Sequence, residues 1–295
     1  MRSMSLLGVP LYTLARYHGM GAAVKVLRSL GIAETLKQGS VSFTDLSDVP
    51  LLEFSTDSGP SNMRNFSHFL DSSAAIIDRA SKVPREDFVF CLGGECGLAL
   101  GTLAALRSRF RGMPGLLWLD AHGDFNTPET TRSGFVGGMP LAFVCGRGPK
   151  FPPSIENLRP LVKEENVVHF GSRDLDPLEA KAVESSSIKL YSAVSLHKEG
   201  LERILEREAA YLEDSADWVI CHLDVDVIDP SIIPAVSFPS NGGLSLNEVN
   251  TIVKTLLKTG KLKVFNLAAY EPTRDTSYSS GRTIVGLVSE IFKAK

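Results

Sequence analysis

Two short acidic runs gather most of the side chains whose types and spacing suit chemistry. In LLWLDAHGDFN an apolar run ends on Asp120, His122 and Asp124 at alternate positions, and in HLDVDVIDP a second run ends on Asp224 and Asp226. Side chains two apart in extended chain point the same way, so each run presents its donors on one side. Four carboxylates crowded together without cations repel and raise one another's pKa. A pair of divalent ions removes that cost. Oxygen donors with one imidazole suit Mn(II) or a similar borderline-hard ion, and two ions roughly 3.5–4 Å apart hold a hydroxide between them at a lowered pKa. That is the chemistry of a metal-assisted hydrolase. The competing reading makes each Asp-x-Asp a loop cap and His122 a structural residue.

Such groups need a scaffold that brings distant chain segments together. Strand-length apolar runs recur at 4–9, 41–46, 88–92, 116–119, 167–170, 188–191, 218–223 and 264–269, and helical spacing lies between most of them, at 23–30, 66–80, 98–110, 178–187, 200–213 and 246–259. Runs apolar on both faces and linked by helices predict an α/β fold: a three-layer α/β/α architecture around a parallel sheet of about eight strands. No repeat or long linker interrupts it, so residues 1–295 read as one domain. In such sheets ligands bind outside the carboxyl ends of the strands. Three predicted strands deliver polar residues there: 88–92 runs into GGEC, ending at Cys96, and the other two run into the acidic motifs.

Composition narrows the partners. A formal charge of -3 offers no basic field for nucleic acid. Four cysteines in 295 residues are too few for a disulfide scaffold. The N-terminal segment, broken by Pro10, does not read as a signal peptide, and no window approaches the roughly 20 apolar residues of a membrane helix. A small-molecule substrate, a cytoplasmic setting and no membrane association are expected. No Gly-x-x-x-x-Gly-Lys or Gly-x-Gly-x-x-Gly follows a strand, which disfavours nucleotide binding.

At these residues the sequence resembles the ureohydrolase family, the arginase and agmatinase superfamily. LLWLDAHGD and LDVDVIDPSIIPAVSFPSNGG resemble its two long signatures, GGECGLALGT stands at its Gly-Gly-Asp-His segment, and the likeness runs from LLGVP to AAYEP near the end. The resemblance implies the arginase-like fold, usually assembled as trimers or hexamers, and two manganese ions. By that likeness Asp120 and Asp224 bridge both ions, His122 and Asp226 complete one site, and Asp124 with Cys96 completes the other. A bridging hydroxide would attack the guanidinium carbon, Asp124 would pass a proton to the leaving nitrogen, and Glu271 would pair with the guanidinium. Asn126 and Ser133 match the residues that hold an amino acid's α-carboxylate in arginases, and Asp176 the one facing its α-amino group. Read from the residues alone, these are turn and helix-cap positions. Their retention favours arginine or a close derivative over agmatine, guanidinobutyrate or formiminoglutamate.

Two departures stand out. Cys96 replaces a metal-binding histidine of the family, and a soft thiolate is a poor donor for Mn(II). It either weakens that site, draws a softer metal or is a structural thiol. Gly137 stands where arginases carry a proton-relaying histidine; His222, two residues before Asp224, is a candidate replacement, although a supporting or core role is the favoured reading of it. The cysteine resembles the N-hydroxyarginine hydrolases of cycloserine biosynthesis, which release hydroxyurea and ornithine, and both departures fit such an activity. N-hydroxylation makes the leaving group less basic and a dedicated shuttle less necessary. The same departures motivate a contrasting class, a metal-poor family member without catalysis.

Overall fold

Every one of the eight apolar runs forms a strand. The computed structural model describes residues 3–293. Strands β1 (Met4–Val9), β2 (Phe43–Asp48), β3 (Phe88–Gly93), β4 (Pro114–Leu119), β5 (Val167–Ser172), β6 (Lys189–Ser192), β7 (Trp218–Asp224) and β8 (Leu262–Ala268) form one sheet in the order β2-β1-β3-β8-β7-β4-β5-β6. Each neighbouring pair is parallel.

The two faces of that sheet are filled by alternate residues. In β3, Phe88, Phe90 and Leu92 belong to one apolar cluster, Val89 and Cys91 to another, as the period-two geometry of a doubly covered sheet requires. Helices Ala23–Ser29, Leu201–Ser215, Leu246–Lys258 and Ser279–Phe292 pack into the first cluster; Phe66–Ala80 and Leu98–Arg107 pack into the second. The expected three layers are present. Strand β2 lies two residues beyond its predicted start, for a physical reason. It is an edge strand paired only with β1, and its residues are half-buried or exposed, so no buried face pins its register. Helix Ser279–Phe292 is not among those the spacing picks out; Gly281 and Gly286 and the β-branched Thr283–Val285 stretch weaken its propensity. Its buried Ile284, Leu287, Val288 and Ile291 still carry a helical period.

Strand order positions the site. The chain runs outward from β1 to β2, returns to β3, then crosses to β4 and runs outward the other way to β5 and β6. The space between β3 and β4 is filled last, by β7 and β8. The carboxyl ends of β3, β8, β7 and β4 therefore meet at the reversal of strand order, where an open parallel sheet forms its crevice. One register row beneath those ends is polar: Asn266, His222, Trp118 and His169 lie side by side across β8, β7, β4 and β5.

Candidate active site

The two acidic runs end in the same local turn. Asp120 Oδ1 accepts the His122 backbone N–H at 2.7 Å, and Asp224 Oδ1 accepts that of Asp226 at 2.7 Å. Each aspartate folds the chain back over its own carboxylate, an Asx turn. Beyond that turn the two segments diverge. After β7 a 3-10 turn, Val225–Val227, carries Asp226 inward; after β4 the chain reaches Asp124, held in the left-handed region at a φ of 49°. The acids thus converge by turns rather than by the continued extended chain that alternation alone predicts.

They converge into two groups that share a residue. Donor atoms of Cys96, Asp120 and Asp124 all lie within 4.8 Å of one another, and so do those of Asp120, His122 and Asp226. Asp224 joins the first through the Cys96 thiol, which donates to its Oδ2 at 2.9 Å. His122 Nδ1 is 3.0 Å from Asp226 and 3.4 Å from Asp120. All six residues predicted as metal ligands are therefore brought together.

The electrostatics of this cluster are those of too many acids in too little water. Burial and the surrounding carboxylates push Asp124 and Asp224 well above the ordinary carboxylate range and Asp120 to about 6. Burial opposes a charge on His122, yet Asp226 and Asp120 together carry its imidazole up to about 12. Burial would also raise Asp226, but His122 overrides it and holds Asp226 low. Burial and Asp224 raise the Cys96 thiol well above its usual value. Protons are the only counter-charge these side chains offer one another, and a dication in each group supplies far more. The donor set fits two hard divalent ions everywhere except at Cys96, its one soft donor.

A cavity of about 600 Å³ opens above this floor. Asn126, Ser133 and Asp176 line it, with Cys96, His122, Asp124, Asp224 and Asp226 below. Asn126 and Asp176 meet directly, Nδ2 to Oδ2 at 3.3 Å, while the Ser133 hydroxyl accepts from Phe135 N at 3.2 Å near the rim. Asp176 also opens helix Pro177–Glu184 with a reciprocal capping box to Glu179. Three predicted residues stand off the cavity lining: Asp120, buried just beneath the floor, Glu271 and His222. Glu271 is buried behind Ser237, whose hydroxyl donates to it at 3.3 Å, and it also accepts from Thr273 N and Oγ1. His222 lies in the polar row beneath the floor. It is fully buried and stacked on Trp118, with ring centroids 3.8 Å apart, and burial lowers its pKa to about 3. That placement suits the core alternative and gives the ring no path to a substrate proton.

The sequence profile of the arginase family matches residues 2–293. The chain belongs to the arginase family. The arginase of Bacillus caldovelox is 32% identical over 300 residues, covering 100% of this chain and 99% of the relative. That of Bacillus subtilis (strain 168) is 30% identical over 295 residues, with coverage of 100% and 99%. The solved B. caldovelox arginase superposes with a TM-score of 0.93 at 31% identity, again covering 100% and 99%. This arginase-family chain is a ureohydrolase acting on C–N bonds of linear amidines.

Several residues that shape the arginase-family site escape a reading by donor spacing. Trp118 Nε1 donates to Asp120 Oδ2 at 3.0 Å, orienting the carboxylate common to both groups; its signal is its place two residues before Asp120, on the same strand face. Glu95 lines the cavity and accepts from Thr13 N at 2.9 Å and Thr13 Oγ1 at 2.6 Å, and burial lifts it to about 8. Glu179 accepts from Phe125 N at 2.9 Å, tying the loop after β4 to its helix. It approaches so closely that a Cβ on Gly123 would sit 2.6 Å from its carboxyl carbon, which explains the glycine in DAHGD. Arg147 pairs with Glu164 at 2.6 Å and covers the Phe125 ring.

Proposed function

We propose that this chain is a manganese-dependent hydrolase of the guanidino group of an amino acid, releasing ornithine. N-hydroxy-L-arginine is the favoured substrate, with hydroxyurea as co-product, and L-arginine, giving urea, is the second. The observation that carries the reading is a single cavity holding two donor groups that share Asp120 and, on its wall, the paired Asn126 and Asp176.

Asp120, His122 and Asp226 would hold one ion and Asp120, Asp124 and Cys96 the other, with Asp224 beside them. When bound, that pair supplies the Lewis acidity that makes water a nucleophile near neutral pH. Asn126 and Ser133 would donate to an α-carboxylate, and Asp176 would accept from an α-ammonium. A head held there would point the guanidino carbon toward the acids. Asp124, a member of the cluster that also faces the cavity, is the side chain that would carry a proton to the leaving nitrogen. Glu271 acts through Ser237, which it holds against the wall. At position 137 the wall has only glycine, so no side chain there relays a proton. A less basic, N-hydroxylated leaving group needs that relay least. L-Arginine stays second because arginases at about 30% identity span the whole chain. A homo-oligomer is expected with either substrate.

Turnover of L-arginine, N-hydroxy-L-arginine, agmatine and guanidinobutyrate by the Mn(II)-loaded protein tests this. A strong preference for plain arginine removes the N-hydroxy reading. Faster turnover of agmatine removes the amino-acid head. Metal analysis finding no bound ion after incubation with Mn(II) supports the non-catalytic alternative.

A further inference from the structure

Aromatic rings from three distant segments meet at one side of the cavity, where Phe135 and Phe238 form part of its lining. Tyr17, Phe135 and Phe238 pack together with centroids 4.8 to 5.6 Å apart, and the Phe238 ring meets His122 edge-on at 5.8 Å. The wall therefore starts at the acidic floor and runs outward. Phe135 and Gly137 both line the cavity, and they compete for one volume. A Cβ built on Gly137 would lie 2.1 Å from Phe135 Cζ and 2.5 Å from Cε2. Gly137 is not among the residues in the left-handed region, so backbone conformation does not demand glycine there. The Phe135 ring does.

We infer that Phe135, seated in the volume Gly137 leaves open and clamped by Tyr17 and Phe238, is a specificity-determining residue that limits the size of the substituent on the scissile end of the amidine. The inference rests on the function proposed above. A ring locked by two others cannot yield as a lone flexible side chain does, so the limit is set by packing. By that limit a compact, polar N-hydroxyl would be tolerated better than an N-methyl group, and larger alkyl substituents would be disfavoured progressively.

The test compares wild type, Phe135→Ala and the milder Phe135→Leu on L-arginine, N-hydroxy-L-arginine and N-methyl-L-arginine, all loaded with Mn(II). Phe135→Ala should raise kcat/KM for the N-methyl compound relative to L-arginine by about tenfold or more, and Phe135→Leu should fall between. A ratio unchanged within about twofold in both variants overturns the inference while leaving the proposed function in place. If wild type cleaves none of the three, the function fails and the inference with it. Thermal unfolding supplies a readout independent of turnover. Gly137→Ala should lower Tm, and the same change in the Phe135→Ala background should lower it far less, because the overlap is gone. Additive shifts overturn the shared volume.

Discussion

The floor of the cavity and its wall are built by opposite strategies. The floor sits on the ends of adjacent central strands, where Asp120 and Asp224 are each fixed by their own Asx turn and Trp118 braces the first from below. The wall is assembled from loops, where Asn126, Ser133, Asp176 and Phe135 owe their places to one another more than to the sheet. A rigid floor suits chemistry common to every substrate, whereas a loop-built wall suits discrimination between substrates.

That contrast breaks most visibly at the shared carboxylates. Asp120→Ala or Asp224→Ala should cut turnover of every substrate by about a thousandfold, roughly 4 kcal/mol of transition-state stabilisation, and reduce bound manganese. Kinetics with metal analysis reads both; substrate-selective losses would mean the floor also discriminates. Chelation should lower Tm for all variants with an intact floor, and Mn(II) at about 100 times its Kd should restore about 2.7 kcal/mol of stability. A Tm indifferent to manganese would leave the acids without ions. On the wall, Asn126→Ala should raise KM for arginine or N-hydroxyarginine about tenfold or more, through one lost hydrogen bond to a charged group, while leaving agmatine unaffected. An equal loss on agmatine would erase the distinction between floor and wall. Cys96→His should tighten manganese about tenfold, since an imidazole replaces a soft donor; an unchanged Kd by calorimetry would mean the thiol touches no ion. The smallest effect is expected beneath the floor, where Trp118→Phe should loosen manganese by about tenfold at most without altering substrate ranking.

The same contrast governs how much is legible in the sequence. Strands and floor can be read because apolar runs and alternating acids are local signals, and the fold brings all six donors together. The turns that do so are less obvious, since nothing in DAHGD announces the left-handed backbone at Asp124. The wall is readable only as a likeness to arginases, because its contacts join residues as distant as Asn126 and Asp176. Phe135 has no signal of its own: its role depends on an absent side chain two positions later. His222 is the instructive case, since alternation puts it on the face of Asp224 but one row deeper, against Trp118 instead of the cavity, which is the core placement favoured over a proton relay.

Because β7 and β8 are the last strands in the chain yet occupy the middle of the sheet, a nascent polypeptide halted before residue 218 already owns Asp120, His122 and Asp124 but lacks the opposing carboxylates. Capture of a cation pair would thus be deferred until the final quarter of the chain has docked, so ions would lock a finished scaffold instead of templating its early assembly.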